Sequence, residues 1–269
     1  STQTDNINSV TANGFTVGTG SRFNSGTQKI ISWAWKAGGP KFGGQSAEQF
    51  WKDGKQYSSA AAVGLTGGTI TPTACSIGSR QNFSIIRYTG NNANRTISHG
   101  LSEPPKFWIY KNLTDSTNWP VNHTIFGAMR YIYLNLTNAQ GDNSGSYWGN
   151  MPTSDVLYIG ADNDTNGDGD DHILYLWHDV PGLQKFGTYT GNANADGPYI
   201  ELGFRPAVVI TKMADTSTNS WVIYDNQRSP INEMNKRLRA NLDSAEDDHS
   251  GIDFLSNGFK LRNASSSST

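Results

Sequence analysis

The chain has 269 residues, 16% of them charged, a net charge of −2 and a single cysteine, Cys75. A sequence with no basic block excludes a nucleic-acid footprint and an anionic-membrane surface, both of which need clustered Lys and Arg. One cysteine excludes an internal disulfide framework, and no run approaches the ~18 apolar residues of a spanning helix, so membrane insertion is not expected.

Along the chain, Asn13-Gly14-Phe15 with Val17, then Ile31, Trp33 and Trp35, predict strands within residues 1–37. Residues 38–82 open with Gly38-Gly39-Pro40 and predict a connector, which Phe50, Trp51 and Tyr57 expect to pack on something. Phe83 to Tyr88, Lys106 to Lys111, Val156 to Ile159 and Ile173 to Trp177 predict strands of a first unit, 83–184. Ala207 to Lys212 and Trp221 to Tyr224 predict strands of a second, 185–269. All are short, rich in β-branched and aromatic residues, and bounded by Gly, Asn, Asp or Pro. The best helical candidate is Ile231 to Leu242. Short strands with turn signals between them predict an all-β chain of two tandem sandwiches.

The sequence also repeats itself. Tyr88-Thr89-Gly90-Asn91 returns as Tyr189-Thr190-Gly191-Asn192 at an offset of 101, and at that offset Ile109 falls on Ile210 and Lys111 on Lys212. At an offset of 102, Trp119 falls on Trp221 and Val121 on Ile223. A second match, at an offset of 142, puts Phe15 on Leu157, Asn24 on Asn166, and Ile31, Trp33 and Trp35 on Ile173, Tyr175 and Trp177. A third sets Asn13-Gly14-Phe15 on Asn257-Gly258-Phe259. A period near 100 residues is the size of a small domain and too long for a solenoid coil. The second unit lacks a counterpart of Ile173 to Trp177, and the N-terminal segment carries one. Two readings stay open: the N-terminal strands complete the second unit, within one chain or from a neighbour, or the chain is a piece of a longer array.

Three stretches carry a resemblance: Ile-Ser-Trp-Ala-Trp-Lys-Ala-Gly-Gly at 31–39, Gly-Leu-Thr-Gly-Gly-Thr-Ile-Thr-Pro-Thr at 64–73 and Phe-Ser-Ile-Ile-Arg-Tyr-Thr-Gly at 83–90. With Ser98-His99-Gly100-Leu101 and Gly203-Phe204-Arg205-Pro206, the chain resembles virion proteins of tailed marine bacteriophages. These are of tail-fibre or surface-decoration type, built from concanavalin A-like (LamG-like) jelly-roll units. The resemblance implies a jelly-roll sandwich, a virion-surface location, other virion subunits as partners and no defined reaction. Homo-oligomers are expected, because fibres and shells repeat one chain symmetrically.

The sharpest local motif is the acidic loop Asp162 to Asp171. Oxygen donors at Asp162, Asp164 and Asn166, then Gly167, form the first half of a calcium loop, with Asp168 and Asp170 able to add ligands. The bidentate Glu of a full loop is absent, since Ile173 stands there, so calcium and a bare exposed hairpin both stay open. His172 and His178 share a strand face without a third ligand, which disfavours zinc. No nucleophile elbow, phosphate loop or paired glutamates appear, so no catalytic residues are expected. Trp33, Trp35, Trp119, Trp177 and Trp221 lie at repeat-equivalent positions and are expected in cores or between units. Trp51, Trp108 and Trp148 have no aromatic counterpart, and with Tyr147 they are the candidates for an exposed glycan-stacking platform or a subunit contact. The sequence as a whole points to a non-enzymatic structural or adhesive protein that binds host-surface glycans. The alternatives are a calcium-assisted, lectin-like module and a glycan depolymerase.

Overall fold

The computed structural model describes residues 7–11, 14–20, 24–39 and 50–264. Strands β1 (Ile7–Thr11) and β2 (Gly14–Val17) form an N-terminal hairpin of their own. The first unit then runs β3 (Phe50–Lys52), β4 (Lys55–Tyr57), the helical turn α1 (Ala60–Val63), β5 (Ala74–Gly78), β6 (Phe83–Thr89), β7 (Arg95–Ser98) and β8 (Phe107–Asn112). It continues with β9 (Pro120–His123), β10 (Arg130–Tyr133), β11 (Gly141–Asp142), β12 (Val156–Ile159), the turn α2 (Asn163–Asn166) and β13 (Asp171–Trp177). The second unit comprises β14 (Tyr199–Glu201), β15 (Val208–Thr211), β16 (Val222–Asp225), β17 (Met234–Arg239), β18 (Asp247–Leu255) and β19 (Gly258–Leu261). The chain is nearly all β, as its composition predicts.

Nine strands of the first unit form one sheet in the order β11-β10-β9-β8-β13-β6-β5-β3-β4. The pair β12-β7 forms a second layer. Strand alternation sorts the sheet's two faces: on β8, Trp108, Tyr110 and Asn112 are buried while Phe107, Ile109 and Lys111 are half-buried. The inward set meets Ile97, Leu157 and Ile159 from the second layer in one apolar core with Ile77, Ile86, Leu174 and Leu176. Burial of these side chains is the main stabilising term, roughly 1.5–3 kcal/mol for each large one.

Residues 50–78, expected to be a connector, instead supply β3, β4 and β5 to this sheet. Phe50 and Cys75 point into the core, and Asp53-Gly54, both at positive φ, make the tight turn of a two-residue hairpin. Residues 40–49 of that expected connector lie outside the described residues. The helical candidate Ile231 to Leu242 contains β17 instead. Met234 and Arg237 are buried there and the strand pairs on both sides, so tertiary pairing overrides a weak helical period.

The second unit is one six-stranded sheet, β14-β19-β18-β17-β16-β15, around Tyr224, Met234, Phe254, Phe259 and Leu261. Its β15–β16 ladder repeats the β8–β9 ladder of the first. Phe107, Trp108 and Ile109 face His123, Asn122 and Val121, and Val208, Val209 and Ile210 face Asp225, Tyr224 and Ile223, matching at the 101 and 102 offsets. β19 pairs β14 in the place where β12 pairs β7, with the register two residues apart: Leu157 faces Ile97, whereas its counterpart Phe259 faces Ile200. The N-terminal hairpin follows suit: Val10 faces Phe15 as Phe254 faces Phe259.

The expected completion of the second unit by the N-terminal strands is not seen as a ladder. Residues 24–39 form no strand, and Trp35 is 51% exposed. One contact ties the segment to the second unit: the Arg228 guanidinium lies over the Trp33 ring, 5.9 Å from its centroid. The two units meet where Trp221 packs on Val121 and Ile132 and donates its indole N–H to the Tyr133 carbonyl at 2.7 Å. No helix among the described residues is long and apolar enough to cross a membrane.

Candidate functional site

The candidate platform residues do not come together on the surface. Trp108 and Trp148 are fully buried and Tyr147 nearly so. Trp108 is an inward residue of β8, and Trp148 stacks on Tyr110 at 5.6 Å and meets Trp108 edge-on at 6.0 Å. The Gly/Asn/Ser-rich stretch around them resembles a loop tip in sequence, but the concave sheet needs large rings to fill it. Trp51 sits half-buried on β3, next to Gly39 and Ser76, separate from that group. The expectation of an exposed Tyr147–Trp148–Trp108 patch is therefore corrected to a core position.

The acidic loop is likewise folded into the protein. Asp162 caps α2, its Oδ1 accepting from the Asp164 amide at 2.9 Å. Asp164 is buried and accepts from the Tyr147 hydroxyl at 2.9 Å and from the Asn118 amide at 3.1 Å. Tyr147 is hydrogen-bonded to Tyr133 at 2.6 Å; burial and this neighbourhood drive the Tyr147 phenol far up and the Tyr133 phenol to about 12. Asn166 donates to the Ala93 carbonyl, and its Oδ1 accepts from the Asn91 amide, holding the Tyr-Thr-Gly-Asn motif in place. A side chain on Gly90 would collide with the Gly167 carbonyl at 2.1 Å, which explains glycine in that motif. Asp170 accepts from Asn112 at 2.8 Å, and Asp168 is exposed. Among the described residues no group of three or more His, Cys, Asp or Glu is arranged to hold a metal ion. Burial raises the Asp162 carboxyl above its ordinary value.

What the structure does build on the outer sheet face is an open cleft of 560 Å³ between β8, β13 and the loop 113–118. Lys111, Ile173 and Tyr175 form its floor, with Trp119 at one wall and Thr114, Asp115 and Thr117 at the other. Lys111 lies over the Trp119 ring, 5.9 Å from its centroid, and its ammonium donates to the Asp115 and Thr117 carbonyls at 3.3 and 3.2 Å. The loop is shaped by Asn112, whose Oδ1 accepts from both the Thr114 and Asp115 amides at 2.9 Å. Tyr175 stacks on Trp177 at 6.2 Å, fixing its ring.

Sequence reasoning assigned Trp119 to a core because it matches Trp221. The match is real, but only Trp221 has the other unit against it. The signal that could have found the cleft is the outward register of Lys111, Ile173 and Tyr175, readable once the strand faces are assigned.

Residues 43–269 match the profile of DUF7483, a domain of unknown function. The chain belongs to that family. The match covers both sandwich units, so the DUF7483 domain is the pair and not the single repeat; the N-terminal hairpin and residues 24–39 lie outside it. No curated protein and no solved structure matches the chain.

Proposed function

We propose that this DUF7483 protein is a non-catalytic structural and adhesive building block, of tail-fibre or surface-decoration type, at the surface of a phage particle. The observation that carries the reading is the shared register of the β8–β9 ladder in the first unit and the β15–β16 ladder in the second. Duplicated rigid modules extend a surface or a fibre, and the sequence resemblance to phage virion proteins supports the same reading. Carboxylates are committed to structure in the second unit: Asp225 to Arg228, Asp247 to Arg237 and Arg239, Asp253 to Arg262.

The outer-face cleft favours a second reading, host-glycan binding. An aromatic wall next to hydroxyl, carboxylate and ammonium groups suits a sugar, whose C–H face packs on a ring while its hydroxyls find polar partners. Binding of the intact protein to bacterial surface polysaccharide, by glycan array and calorimetry, tests it. Binding that Trp119→Ala weakens at least tenfold supports an adhesin. No binding leaves a scaffold, and release of reducing ends from the polysaccharide would replace both with a depolymerase.

A further inference from the structure

In the first unit, β8 is flanked by β9 on one side and β13 on the other. In the second, β15, the counterpart of β8, is flanked by β16 alone and ends the sheet. Among the described residues, no strand pairs with the edge of β15 that β13 covers on β8; Tyr189 packs on the core there and hydrogen-bonds Thr211, without adding a ladder. The effect spreads: β6 pairs β13 along its whole length, whereas its counterpart, residues 184–190, forms no strand. Likewise Asn91 is held by Asn166, whereas residues 190–196 of the second copy are exposed.

The sequence counterpart of β13 is the segment around Ile31, Trp33 and Trp35. Carrying the β8–β13 register across at the repeat offsets sets Trp35 opposite Val208, Ala34 opposite Val209, Trp33 opposite Ile210 and Ser32 opposite Thr211. The faces agree. Trp33 and Trp35 would cover Ile210, now 43% exposed, and half-buried Val208. Small Ser32 and Ala34 would face inward over Thr211 and Val209. Asn24, the counterpart of Asn166, would reach the exposed Gly191-Asn192 turn.

The chain's own segment does not take this place. Its end is pinned to the first unit, where the Gly38 and Gly39 amides donate to Ser76 Oγ at 3.0 Å and the Gly38 carbonyl accepts from Gly54 at 2.6 Å. Its Trp33 lies against Arg228, which is bonded to Asp225, the residue opposite Val208. In register that end of the edge belongs to Trp35.

We propose that residues 24–37 of a second copy of this chain dock as an added strand on β15, completing the second unit and linking copies head to tail. An open edge offers a row of unpaired backbone groups that a matching strand satisfies, and a head-to-tail contact generates a ring or a filament. The inference rests on the repeat register and stands whether or not the outer-face cleft binds sugar.

The test uses two full-length variants, Ala34→Cys and Val209→Cys, mixed under mild oxidation. A disulfide-linked dimer is expected from the mixture and from neither variant alone. Trp33→Cys with Ile210→Cys provides the neighbouring pair, since only one of two adjacent antiparallel positions is the closely spaced kind. Cys75 does not compete: it is buried, and burial pushes its thiol up to about 11. Absence of dimer from both mixtures overturns the proposal. So does an internal disulfide, without dimer, in a single chain carrying both substitutions, because the chain's own segment would then fill the edge. Light scattering on the unmodified protein is expected to show mass rising with concentration; a constant monomer mass also overturns it.

Discussion

The two sandwich units share a strand plan and differ in how it is completed. In the first unit β13 lies between β8 and β6, and both of its ladders run nearly its full length. In the second, the same edge of β15 carries no strand among the described residues, and residues 184–190 stay out of the sheet. Stability is distributed accordingly. The first unit relies on large inward rings, Trp108, Tyr110 and Trp148. The second has Val209 where the first has Trp108, and adds the buried Arg228–Asp225 pair, with side chains 9% and 2% exposed.

That contrast can be broken most strongly at matched positions. Trp108→Ala is expected to destabilise the protein by about 3–5 kcal/mol in urea unfolding, whereas Val209→Ala at the equivalent site should cost roughly 1.5–3. In the second unit, Arg228→Ala should cost about 3–5 kcal/mol, because it strands Asp225 as a buried, unpaired charge. Equal losses for Trp108→Ala and Val209→Ala would contradict the different filling of the two cores. Next in size, Tyr147→Phe removes the hydroxyl that donates to buried Asp164 and should cost roughly 1–3 kcal/mol.

Acid sharpens the comparison through two pH windows. Burial holds His99, His123 and His172 of the first unit below the ordinary histidine value. Their neutral forms favour the folded state, so this contribution is complete above about pH 6.5 and is lost as pH falls below it. In the second unit, the Arg237 hydrogen bond, reinforced by Arg239, holds Asp247 well below the usual carboxylate range. For Asp225, burial pushes the carboxyl up, but the Arg228 hydrogen bonds outweigh it and leave it below its ordinary value. Depressed carboxylates stabilise above about pH 4 and lose that contribution as pH falls further. Half-buried His249 is also lowered, so the second unit should show a small early loss. The melting temperature is therefore expected to fall in two stages, one below about pH 6.5 and a second below about pH 4; a loss confined to the region below about pH 4 would contradict the buried neutral histidines.

The smallest effect expected is that of calcium. The side chains of Asp162, Asp164, Asn166 and Asp170 have protein partners, so adding calcium or a chelator should leave the melting temperature unchanged. A rise of several degrees with calcium would return the acidic loop to its reading as an ion site, since a ligand that binds only the folded state stabilises it by mass action.

Much of the fold was legible because it is written in local periodicity. Alternation in Phe83–Tyr88, Ile173–Trp177 and Val156–Ile159 placed strands where they are, since a residue's face in a pleated strand follows from its position alone. At the repeat offsets the β8–β9 and β15–β16 ladders share one register, because two segments of like pattern pair alike. The sites were less legible. Trp148 and Tyr147 sit in a stretch with the composition of a surface loop, and only the concavity of the nine-stranded sheet makes them core. Trp119 and Trp221 are sequence equivalents, yet one walls a cleft and the other is sealed by a neighbouring unit. Burial of an aromatic depends on what packs over it, and that partner is far away in the chain. The sequence by itself determined which segments extend, which way their side chains alternate and which segments resemble one another. Only the tertiary structure decided which face is covered and which edge stays open, because those outcomes depend on non-local contacts that no window of residues contains.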